Sequence, residues 1–93
     1  MAKPINVVTK EQAEELVSDG AVLIDVRLSE DYETVHLDGS IKMPFFTLHE
    51  MATYIIKDRN TKIILYCSKG KRGDQAYNNL LYLGYKNLYC LGG

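Results

Sequence analysis

Two nearly continuous apolar runs, Ala21-Val22-Leu23-Ile24-Asp25-Val26 and Ile63-Ile64-Leu65-Tyr66, constrain the fold more than any other feature of this chain. Successive apolar residues in an extended segment must be covered on both faces, which is the situation of a central strand in a parallel sheet. Helical signals alternate with these runs. Thr9 and Gln12 have the spacing of a capping box, Ala13, Leu16 and Val17 follow on one helical face, and Gly20 closes that helix. Ser29 caps a short helix through Tyr32 and Glu33. Thr47-Leu48-His49-Glu50 reads as a second capping box, opening a helix to about Ile56, and Ala76, Leu80, Leu81 and Leu83 pattern a last one ending at Gly84. Shorter strands are expected at Ile5–Val8, Ser40–Met43 and Leu88–Leu91, and a turn at Asp58–Thr61. The alternation predicts one α/β domain over residues 1–93, with a mainly parallel central sheet of about five strands and helices on both faces.

Ordinary globular composition supports this, with 46% hydrophobic and 25% charged residues. No apolar stretch approaches a bilayer span, and Met1–Ile5 has no export signal, so no membrane partner is expected. Two cysteines are too few for a disulfide framework, and a cytoplasmic location is expected. With no C-x-x-C or H-x-x-x-H pairing, neither a metal site nor a cofactor is expected. The net charge of −1 conceals an asymmetry: residues 1–56 carry ten acidic and four basic side chains, and residues 57–93 carry two acidic and seven basic. The basic surplus is too small for nucleic acid and suits a small anion.

Part of that surplus surrounds Cys67. The segment Cys67-Ser68-Lys69-Gly70-Lys71-Arg72-Gly73 follows a buried strand and precedes a helix expected to begin near Gly73. In parallel α/β sheets, ligands bind outside the carboxyl ends of the strands. Cations and helix N-terminal amides stabilise a thiolate, the reactive form of cysteine. Gly70, read as mid-loop, lets successive backbone N–H groups turn inward around an anion. Cys67 is therefore the candidate nucleophile, with Ser68, Lys69, Gly70, Lys71 and Arg72 as substrate-binding residues. At the same sheet edge, Asp25 is expected to accept loop N–H bonds and Arg27 to pair with Asp31 or Glu33, supporting the site.

Leu23-Ile24-Asp25-Val26-Arg27, Asp31-Tyr32, His36-Leu37-Asp38-Gly39-Ser40-Ile41 and Pro44 together closely resemble the N-terminal signature of rhodanese-like domains. Ile64-Leu65-Tyr66-Cys67 with Arg72 resembles their active-site strand and loop. Leu83-Gly84-Tyr85-Lys86-Asn87-Leu88 with Leu91-Gly92-Gly93 resembles their closing helix and strand. The resemblance implies a rhodanese-like fold and a thiosulfate sulfurtransferase-like enzyme. Its thiolate takes a sulfane sulfur from a small anionic donor and passes the persulfide sulfur to a thiol, cyanide or a sulfur-relay protein. It also places His36 in a structural turn. Two departures stand out: Val35 replaces the glycine common before the histidine, and the chain stops at Gly93 where many relatives continue.

Two other functions fit the same resemblance. Phosphatases and arsenate reductases of this fold use Cys-x5-Arg to encircle a tetrahedral oxyanion, whereas Cys67 to Arg72 is Cys-x4-Arg, with Gly73 in place of a hydroxyl residue. Non-catalytic modules of the family bind partners and generally lack the cysteine. Cys90, on a strand expected beside that of Cys67, reads as a packed residue and not as a resolving thiol.

Overall fold

The computed structural model describes residues 6–27, 29–34, 36–66 and 70–91, with only the backbone at 29 and 70–74. Nine elements alternate along the chain: β1 (Val7–Val8), α1 (Lys10–Ser18), β2 (Val22–Asp25), α2 (Ser29–Thr34), β3 (Ile41–Lys42), α3 (Leu48–Ile55), β4 (Ile63–Tyr66), α4 (Gly70–Tyr82) and β5 (Leu88–Leu91). The strands form one sheet in the order β1-β5-β4-β2-β3, and every pairing is parallel. The expected parallel sheet of about five strands is borne out.

Local chemistry accounts for the helix ends. Thr9 Oγ1 accepts from Gln12 N at 3.1 Å and Gln12 Oε1 accepts from Thr9 N at 2.9 Å, so the first capping box forms in full. The second does not. Thr47 occupies the N-cap of α3 in a helical conformation, and its hydroxyl donates back to Pro44 O at 3.0 Å instead of capping the helix. Ser29 is the first residue of α2 and not its cap, and α4 opens at Gly70, three positions before the expected Gly73. Gly20 and Gly84, just beyond α1 and α4, adopt φ values of 102° and 101°, a conformation open to glycine at little cost.

Side-chain alternation along the strands divides the core into two layers. Ile24, Val26, Ile63, Leu65 and Leu88 pack on one face with Leu48 and Ala52 of α3 and Ala76, Tyr77 and Leu80 of α4. Leu23, Ile64 and Leu91 pack on the other with Ala13 and Leu16 of α1 and with Leu37. Helices thus cover both faces, as right-handed crossovers running in opposite directions require.

Tyr85 locks the first layer. It is fully buried, and its hydroxyl lies within hydrogen-bond reach of Ala52 O at 3.0 Å and of Ile56 O, at the end of α3. Arg59 lies over its ring, 4.7 Å from Cζ to the centroid, and donates from Nε to Leu83 O at 2.9 Å. The variant Tyr85→Phe is expected to lose about 1–3 kcal/mol, because buried carbonyls lose a donor without gaining water. Urea denaturation checks this, and an unchanged midpoint would show that the hydroxyl contributes nothing net.

Candidate active site

The carboxyl ends of all five strands meet in one row. Val8 pairs with Leu91, Leu91 with Tyr66, Tyr66 with Asp25 and Asp25 with Lys42. Chain direction reverses within this row. From β2 the chain crosses through α2 to β3, whereas from the neighbouring β4 it crosses through α4 to β5 on the opposite side. The ends of β2 and β4 therefore flank the topological switch point, where open parallel sheets form a ligand crevice. Tyr66 is the last residue of β4, and α4 begins at Gly70. Cys67, Ser68 and Lys69 lie outside the described residues, as do the side chains of Lys71 and Arg72. Residues 67–69 fall in sequence between the central strand and the amino end of a 13-residue helix, whose dipole is positive at that end, and Lys71 and Arg72 belong to its first turn.

A buried ion pair sits at the β2 end of this row. Asp25 is wholly buried and Arg27 is 8% exposed. Asp25 Oδ1 accepts from Arg27 N at 3.0 Å and from Nε at 3.0 Å, while Oδ2 accepts from Nη2 at 2.9 Å. The expected N–H bond to Asp25 is present. Arg27 pairs with the Asp25 carboxylate two residues before it and not, as expected, with Asp31 or Glu33: Asp31 acts on it only through its charge, and Glu33 pairs with Lys42 at 3.1 Å. The hydrogen bond to Asp25 raises the Arg27 pKa above its ordinary value and outweighs the lowering by burial. The guanidinium is a fixed cation at any pH the fold tolerates.

Arg27 also lies over the ring of Tyr66, with Cζ 5.0 Å from the centroid. This contact ties the end of β2 to the residue immediately before Cys67. Sequence reasoning missed Tyr66 as part of the support. Its only signal was an aromatic residue closing an apolar strand, and the contact depends on a register between strands about forty residues apart.

The remaining candidates lie at the periphery. His36 is exposed, stacks on Tyr32 with ring centroids 4.0 Å apart, and places Nδ1 2.9 Å from Tyr32 O, in keeping with a structural turn. His49 is exposed in the first turn of α3. Cys90 is half-buried, packed against the α3–α4 layer and paired in register with Leu65. Among the described residues no group of three or more His, Cys, Asp or Glu side chains is placed to hold a metal, and no helix is long and apolar enough to cross a membrane.

Comparison with known proteins agrees with this geometry. The Rhodanese-like domain profile matches residues 9–93. The chain is 33% identical over 70 residues to the thiosulfate sulfurtransferase PspE of Escherichia coli, covering 75% of this chain and 67% of that protein. It is 36% identical over 87 residues to a tRNA uridine(34) hydroxylase of Hamiltonella defensa, covering 88% of this chain but only 24% of the hydroxylase, so it spans about a quarter of that relative. A solved structure described as rhodanese with anions from E. coli superposes with a TM-score of 0.72 at 30% identity, covering 80% of this chain and 86% of that one. With its profile spanning nearly the whole sequence and its sheet superposing on a solved rhodanese, the chain belongs to the rhodanese-like domain family.

Proposed function

We propose that this domain is a sulfurtransferase, thiosulfate sulfurtransferase-like, that carries a sulfane sulfur on Cys67. The observation that carries the reading is the short passage from Tyr66, at the switch point, to the amino end of α4 at Gly70, with Cys67 as the first residue between them. A thiolate there benefits from the α4 dipole and from the cationic residues Lys69, Lys71 and Arg72 in the sequence around it. The 33% identity to the E. coli thiosulfate sulfurtransferase supports the same donor class.

In the proposed reaction, the Cys67 thiolate attacks the outer sulfur of thiosulfate. The S–S bond of the donor breaks, sulfite leaves with the electron pair, and Cys67 carries a persulfide. A thiol, cyanide or relay-protein acceptor then attacks the outer sulfur and releases the Cys67 thiolate. Two easy displacements replace one difficult one. Ser68, Lys69, Gly70, Lys71 and Arg72 are the proposed substrate-binding residues: amides of this segment would hold the terminal sulfur, and Arg72 and the lysines would attract the anionic donor. Asp25, Arg27 and Tyr66 fix the strand ends beneath. No cofactor, metal or nucleic acid is needed, and the cytoplasm provides the reduced thiols that serve as acceptors.

Four residues between Cys67 and Arg72, where the oxyanion-binding enzymes of this fold have five, weigh against phosphate or arsenate. The test is a parallel assay of thiocyanate formation from thiosulfate and cyanide and of phosphate release from an aryl phosphate. Thiocyanate formation without phosphate release is expected. Phosphate release without thiocyanate would assign Cys67 to oxyanion chemistry, and neither product would favour a binding module.

A further inference from the structure

Tyr66 is held from several directions at the end of β4. It is paired in register on both sides, with Asp25 of β2 and with Leu91 of β5. Its carbonyl oxygen accepts from Val26 N at 3.1 Å. Its half-buried ring packs against the apolar layer that contains Ile64 and Leu91, and the Arg27 guanidinium lies over it. Asp25 and Tyr66, being in register, share a face of the sheet, and Arg27 closes over both.

The guanidinium is itself fixed. Its Nε and Nη2 donate to the two carboxylate oxygens of the wholly buried Asp25. A bidentate pair sets orientation as well as charge. The two charges cancel, so the pair offers the ring a rigid surface and no net charge. Among the described residues the Tyr66 hydroxyl has no hydrogen-bond partner, which leaves the ring face as the part of the side chain that is recognised.

A peptide unit is planar, so a held carbonyl passes its constraint to the nitrogen and Cα that follow. The residue after Tyr66 is Cys67. We propose that Tyr66 is a positioning residue for sulfur transfer: its ring, seated under the Arg27 guanidinium, sets the direction from which the Cys67 thiolate meets the donor. This rests on the reading of Cys67 as the sulfur carrier. Displacement at sulfur requires attacking and leaving atoms in line, so misplacement of the thiolate lowers the rate of transfer more than it weakens donor binding.

The test follows sulfur loading of Cys67 by intact mass in single turnovers, over a range of thiosulfate concentrations. Tyr66→Leu and Tyr66→Met remove the ring and keep apolar bulk, whereas Tyr66→Phe removes the hydroxyl alone. The maximal loading rate is expected to fall about tenfold in the first two and to stay within about twofold of the parent in Tyr66→Phe. The half-saturating thiosulfate concentration should not change. Rates are referred to the folded fraction measured by far-UV circular dichroism, so that lost stability does not imitate lost placement. Full rate in Tyr66→Leu and Tyr66→Met, or an equal fall in Tyr66→Phe, would overturn the positioning role and leave Cys67 as the carrier. A higher half-saturating concentration at an unchanged maximal rate would overturn it in favour of donor binding. No loading in the parent would remove the reaction itself, and the positioning role with it.

Discussion

Replacing Asp25 with alanine is expected to lower the unfolding free energy by about 3–5 kcal/mol, the loss typical when one partner of a buried ion pair is removed. The carboxylate has no solvent exposure, and it accepts three hydrogen bonds of 3.0 Å or shorter from the backbone and side chain of Arg27. Without it, a guanidinium that is only 8% exposed keeps its charge but loses the carboxylate that raises its pKa. The Arg27 cation cannot escape by deprotonating, so the cost falls on the fold. Asp25→Asn retains an acceptor for Arg27 N and should lose less. Urea denaturation of both variants measures the difference, and a loss below about 1 kcal/mol for Asp25→Ala would show that the pair is not a support of the strand ends.

The largest effect on activity is expected from Cys67→Ser. A serine hydroxyl is a weaker nucleophile at neutral pH and forms no stable sulfur adduct, so thiocyanate formation should fall by about 10³-fold or more, to the uncatalysed background. Far-UV circular dichroism and the urea midpoint of the variant should match the parent, which separates lost chemistry from lost fold. Activity above a tenth of the parent's would remove Cys67 from the reaction.

Particular residues show why some of this was readable in the sequence and some was not. The two central strands announced themselves by apolar residues at successive positions, and Asp25 stood out as a carboxylate inside one of them. The Thr9 capping box was equally legible, because its hydrogen bonds span three residues. Thr47 carried the same pattern and failed, because Pro44 presented its hydroxyl with a competing carbonyl. The opening of α4 at Gly70 was misplaced because glycine has low helix propensity, and tertiary context overrode it. Strand order and the Arg27–Tyr66 contact could not be read, since both depend on pairing between distant segments. The switch point between β2 and β4 is a property of that order, and Tyr66, the residue before Cys67, ends the strand on one side of it.

The central claim is that Cys67 carries sulfur, and intact-protein mass spectrometry after exposure to thiosulfate tests it most directly. The account predicts a gain of about 32 Da, one sulfur atom, located on Cys67 by peptide mapping, removed by cyanide and absent from Cys67→Ser. No gain from thiosulfate or any other sulfane donor, or a gain located on Cys90, would contradict it.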